Sequence, residues 1–125
     1  MISSFSTSYA GHVVDDRLGF GGIPANDRHY SNEDLAQAFS WALEIAQLSE
    51  TLGFDEFWMA EHHFQPEGYE CIPNLMMLNL YLANHTKRIK FGCGFNITPM
   101  WHPLRLAEDF AMADILTGGR VIFGV

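Results

Sequence analysis

Cysteine is scarce in this chain: among 125 residues only Cys71 and Cys93 occur. Far apart in sequence, they fit neither a disulfide framework nor a CxxC metal pair, and a reducing cytoplasm is the expected setting. Positive charge is scarce too. Seven Lys and Arg stand against fifteen Asp and Glu, and the formal charge of -8 repels phosphate backbones and anionic lipid surfaces. Nucleic acid is therefore not an expected partner. The start MISSFSTSYAGHVV has no basic n-region, and no segment approaches the ~18 uninterrupted apolar residues that a membrane span needs, so a soluble protein is expected. What is abundant is apolar side chain, at 48% of residues, which excludes a disordered tail and supports one domain over 1–125.

From Ser31 the pattern becomes helical. Ser31 suits an N-cap with Asp34 three residues on, and Leu35, Ala38, Phe39, Ala42, Ile45 and Ala46 recur at helical spacing as far as Leu52. Gly53 suits the position just past the helix end, and Asp55 to Ala60 then reads as a short buried strand. The unit repeats. Pro73 opens a second helix to about His85, followed by a strand from Ile89 to Phe95. Pro103 opens a third through about Leu116, followed by a strand over RVIFGV, Arg120 to Val125. An earlier strand is placed at Ile2 to Tyr9, mainly because the first helix needs a predecessor. Such alternation implies a parallel sheet with helical crossovers, hence an α/β fold.

Two stretches are unusual. AGHVVDDRLGFGGIPANDRHY is a long glycine-rich loop that would sit at the carboxyl end of the first strand, where ligands bind; a disordered insertion is the alternative. The second helix, PNLMMLNLYLANH, is apolar around most of its circumference, which points to a second subunit on its outer face or to more of the same chain covering it.

GFDEFWMAEHHF places a carboxylate and two histidines directly after an apolar strand. In an unbroken strand Glu61 and His63 point one way and His62 the other. Glu61 and His63 could share an ion with His85 or His102, but the HExxH spacing is absent and no metal is expected. Histidine at a strand end can move a proton or bond a developing oxyanion if a neighbour such as Glu61 fixes its tautomer; an ordinary polar strand end explains the residue types equally well. In FGCGFNITPMWHP, Gly92 and Gly94 suggest close approach by a planar ligand or, alternatively, glycines chosen for packing.

GFDEFWMAEHHF, GCGFNITPMWHPLRLAED and LTGGRVIFGV, in that order and spacing, resemble the bacterial luciferase-like flavin monooxygenases over about Leu35 to Val125. The resemblance implies a TIM (β/α)8 barrel of which this chain holds strands 1–4 and helices 1–3, the N-terminal half of a single domain. It implies reduced FMN from a partner flavin reductase, O2 and a small organic substrate, with the deazaflavin F420 as the cofactor of a sister group. His62 is implied as the catalytic acid/base. Glu61 and His63 are implied as neighbours in the cofactor pocket. Gly94, Phe95 and Asn96 are implied beneath the isoalloxazine ring, with a non-proline cis peptide between Gly94 and Phe95, although Phe95 is bulkier than the family's usual small residue. The family continues past the position of Val125, so a fragment, inactive alone, is expected, or else two halves closing one barrel. An F420-dependent oxidoreductase and a non-catalytic flavin-binding or structural subunit are the competing functions. Neither the organic substrate nor luminescence can be read from these motifs.

Overall fold

A computed structural model describes residues 2–13, 22, 24, 27–64 and 70–125. Much of the glycine-rich stretch expected to overhang the sheet lies outside these residues.

Helix α1, Asn32–Thr51, begins as its sequence dictates. The Ser31 hydroxyl accepts from the Asp34 amide at 3.2 Å and the Asp34 carboxylate accepts from the Ser31 amide at 3.1 Å, so two otherwise orphaned donors are satisfied. Ala38, Ala42 and Ala46 form its fully buried stripe, and their small size brings the helix close to the sheet. Gly53, at φ +90°, turns the chain out of the helix into β2, Glu56–Met59.

Helix α2, Leu75–Asn84, starts later than proline placement suggests. Asn74, not Pro73, defines its start, with the side-chain oxygen accepting from the Met77 amide at 2.9 Å. Its inward face is buried, including Asn79, which donates to Cys93 Sγ at 3.3 Å, while Met77 and Tyr81 stay exposed. Neighbouring helices thus cover more of α2 than its composition suggests. Helix α3, Pro103–Thr117, has proline in its first turn and ends at Gly118 in the left-handed region.

Strands β1 (Ser6–Tyr9), β2, β3 (Lys90–Cys93) and β4 (Val121–Ile122) form one parallel sheet in the order β1-β2-β3-β4. All are shorter than their apolar runs. At β4 the reason is visible: past Ile122 the chain leaves the ladder, and the Gly124 carbonyl accepts from the Asn96 amide instead. Tyr9, Phe57, Met59, Phe91 and Cys93 pack into one core with α1, α2 and α3, and Phe57 meets Phe91 edge-on at 6.3 Å. The alternate residues Ser6, Glu56 and Lys90 share one register level on the opposite face. Strands in sequential order with helices on a single face define a partial (β/α) barrel rather than a doubly wound sheet, whose strand order reverses.

Two charged side chains fasten the underside. Arg120 donates to the carbonyls of Ala83 and Thr117 and to the Thr86 hydroxyl, covering the ends of α2 and α3. Glu50 accepts from the amides of Lys87, Arg88 and Ile89 at 2.5–3.1 Å. Burial pushes the Glu50 carboxyl upward, but these three amides and the Arg88 charge outweigh it and hold the group below its ordinary value. Its contribution is therefore present above about pH 4.5 and fades as pH falls through the depressed folded-state value. Glu50→Gln is expected to cost about 1 kcal/mol at neutral pH after solvent screening. Urea denaturation of both proteins across pH should show that difference shrinking in acid; a constant difference would refute the assignment.

Candidate active site

The candidate site residues gather at the carboxyl ends of the strands. Leaving β2, the chain buries the Glu61 side chain completely and half-buries His62 and His63. Glu61 and His63 point the same way, as alternation requires, and His63 Nε2 lies 2.7 Å from Glu61 Oε1. His62 turns elsewhere: its Nε2 lies 3.0 Å from Glu70 Oε2, and its amide donates to the Ile72 carbonyl at 2.9 Å. The expectation that Glu61 orients His62 is therefore corrected. Glu70 does so, and no local spacing in the sequence signals it.

Glu61 serves the neighbouring loop instead. Ile97 donates its amide to Oε2 at 3.1 Å, and the Trp101 indole donates to both carboxylate oxygens at 3.1 and 3.2 Å. Between these contacts runs the segment leaving β3. Its Gly94–Phe95 peptide bond is cis, as the resemblance implies. Phe95 is exposed, so its bulk points away from the core. Asn96 is buried; its amide and side-chain nitrogens both donate to the Gly124 carbonyl at 2.9 Å, while its side-chain oxygen has no partner among the described residues. It ties β3 to β4.

The two strand glycines have different roles. A Cβ at Gly92 would lie 2.3–2.6 Å from three atoms of the Trp58 indole, so this glycine makes room for a side chain, which corrects the ligand-approach alternative there. Gly94, with Trp58 3.2 Å from its hypothetical Cβ, lines a cavity of about 160 Å³ with Ser8, Tyr9, Ala10, Trp58, Met59 and Ala60. Ser8, Ala10, Ala60 and Gly94 are small, and Tyr9, Trp58 and Met59 complete the lining. A larger, mostly apolar cavity of about 890 Å³ lies between α3 and β4, away from the strand-end residues that line the smaller one.

Gly11 was not singled out by the sequence, yet it organises the rim. At φ +75° and with Ile72 filling the place of a Cβ, it presents its carbonyl to the Cys71 amide and thiol. Tyr9 donates to the Ala38 carbonyl at 2.9 Å, and burial, reinforced by Cys71, pushes its phenol up to about 12. Burial likewise raises the Cys93 thiol to about 11. Both groups stay protonated at neutral pH. His85 caps the end of α2 against Tyr81 and His102 precedes α3; among the described residues no three potential metal ligands converge.

A parallel sheet of sequential strands with helices on one face is a (β/α)-barrel segment. The chain belongs to the luciferase-like monooxygenase family, whose model matches residues 21–125. It is 36% identical over 114 residues to limonene 1,2-monooxygenase of Rhodococcus erythropolis, which spans 90% of this chain and 29% of that protein. It is 34% identical over 99 residues to the oxygenase component of the flavin-dependent trigonelline monooxygenase of Acinetobacter baylyi, covering 79% of this chain and 27% of the relative. The oxygenating constituent of 3,6-diketocamphane monooxygenase from Pseudomonas putida, solved with FMN, superposes with a TM-score of 0.72 at 24% identity, over 96% of this chain and 28% of that one. The F420-dependent tetrahydromethanopterin reductase of Methanopyrus kandleri superposes at 0.61 with 21% identity, over 96% of this chain and 26% of its own, so both structures speak to the fold. The chain spans less than a third of the length of these relatives.

Proposed function

We propose that this chain forms the N-terminal half of the barrel of a flavin-dependent monooxygenase that uses reduced FMN and O2 to oxygenate a small organic substrate. The observation carrying this reading is the pairing, at one sheet edge, of the Glu70-held His62 with the small-residue floor at Gly94. Bound there, the flavin supplies the oxygen chemistry. The chain's own part is to seat the ring on Gly94, Ala10 and Ala60, and to hold an imidazole in one tautomer for proton transfer. Glu61, His63, Phe95 and Asn96 shape the wall around that seat. The relatives' names support the reaction class.

The F420-dependent alternative draws on the likeness to the tetrahydromethanopterin reductase. Anaerobic titration of the full-length protein with reduced FMN and, separately, reduced F420 decides between them. A saturable optical change with FMN alone supports the monooxygenase, one with F420 alone replaces it, and none with either leaves a structural subunit. Catalysis also implies a cytoplasmic flavin reductase as electron source.

Pairing of two copies through α2 completes the proposal. Met77 and Tyr81 are exposed beside Phe39 and Pro73, forming an apolar groove of about 390 Å³. Met77→Glu is expected to weaken self-association at least tenfold in sedimentation equilibrium, since a carboxylate would be desolvated at the contact. A wild-type monomer at all concentrations would end this part.

A further inference from the structure

We propose that Glu61 is a positioning residue that acts through the loop after β3, pinning residues 95–101 to the exit of β2 so that the Gly94 floor keeps its shape; this rests on the flavin reading above. Its side chain has no solvent accessibility, so it must be justified by its internal partners. Those partners saturate it. His63 Nε2, the Ile97 amide and the Trp101 indole converge on its two oxygens at 2.7–3.2 Å.

The donors come from different places. His63 lies two residues away, whereas Ile97 and Trp101 bracket the 3-10 turn Thr98–Met100 on the loop that starts at the cis peptide. The loop's own bonds, such as Met100 N to the Ile97 carbonyl, give it a compact shape but do not attach it to β2. The attachments on that side are the Met59 carbonyl, which accepts from Gly94, and Glu61.

Chemistry requires a carboxylate here. Three donors converge, and a carboxylate is an acceptor on both oxygens. Glutamine would replace one oxygen with an NH2 group and set donor against donor, so Glu61→Gln tests the idea although it is nearly isosteric. Trp101→Phe removes a single donor and is the gentler companion.

The experiment is amide and indole hydrogen exchange by NMR on the full-length protein without ligand, followed by FMN titration of the same samples. In Glu61→Gln, exchange at the Ile97 amide and Trp101 indole should accelerate at least tenfold while the Phe57 and Phe91 core amides hold, and the FMN dissociation constant should rise about tenfold. Trp101→Phe should retain Ile97 protection and weaken FMN by less.

Unchanged exchange in Glu61→Gln overturns the clamp. Accelerated exchange with unaltered FMN affinity overturns the positioning role. Core amides that exchange freely in Glu61→Gln pass the decision to Trp101→Phe, in which wild-type FMN affinity overturns the proposal. A wild-type protein that binds no FMN overturns the underlying flavin reading, and the ligand-free exchange data then separate that failure from failure of the clamp.

Discussion

His62→Ala is expected to reduce oxygenation by roughly 10²- to 10⁴-fold, the span of a lost general acid/base, while flavin affinity changes little. The asymmetry follows from geometry. His62 is held by Glu70 and is only half-buried, whereas the floor that would seat the ring is built from Ser8, Ala10, Ala60 and Gly94. His63→Ala makes the contrast: it removes a donor from buried Glu61 and should weaken flavin binding and stability together. Single-turnover product yield with saturating reduced flavin, alongside equilibrium flavin binding, separates the two. Full oxygenation by His62→Ala would remove this residue from the mechanism.

Gly124→Ala should be the most damaging of the glycine substitutions. A Cβ there would stand 1.8 Å from the Cys93 carbonyl oxygen, a backbone atom that cannot rotate aside. Relief requires separating the exits of β3 and β4, which also breaks the two bonds from Asn96 to the Gly124 carbonyl. A loss of about 3 kcal/mol is expected from overpacking and the broken bonds together. Gly118→Ala is the control: at φ +66° with nothing within 4 Å of the new atom, it should cost only about 1 kcal/mol. Denaturant midpoints compare them, and equal losses would show that the close approach is not decisive.

Sequence reading reached the frame of the fold because its signals are local. The Ser31 and Asp34 capping box, Gly53 as a helix exit, and the apolar periods between them each depend on residues within a few positions. Alternation also put Glu61 and His63 on one side. What escaped it depends on long-range approach. Glu70 as the partner of His62, Trp101 as a donor to Glu61, Trp58 over Gly92, and the Gly11 contact with Cys71 join different strand ends. Strand lengths were overread for a related reason: apolar side chains persist beyond the last ladder bond wherever the chain turns inward.

Adjacent imidazoles on separate carboxylates have independent fates. His63 is anchored to a fully buried carboxylate within its own segment, while the companion of His62, Glu70, is partly exposed. Two identical letters in a row therefore answer to different substitutions, one ring to a change at Glu61 and the other to a change at Glu70.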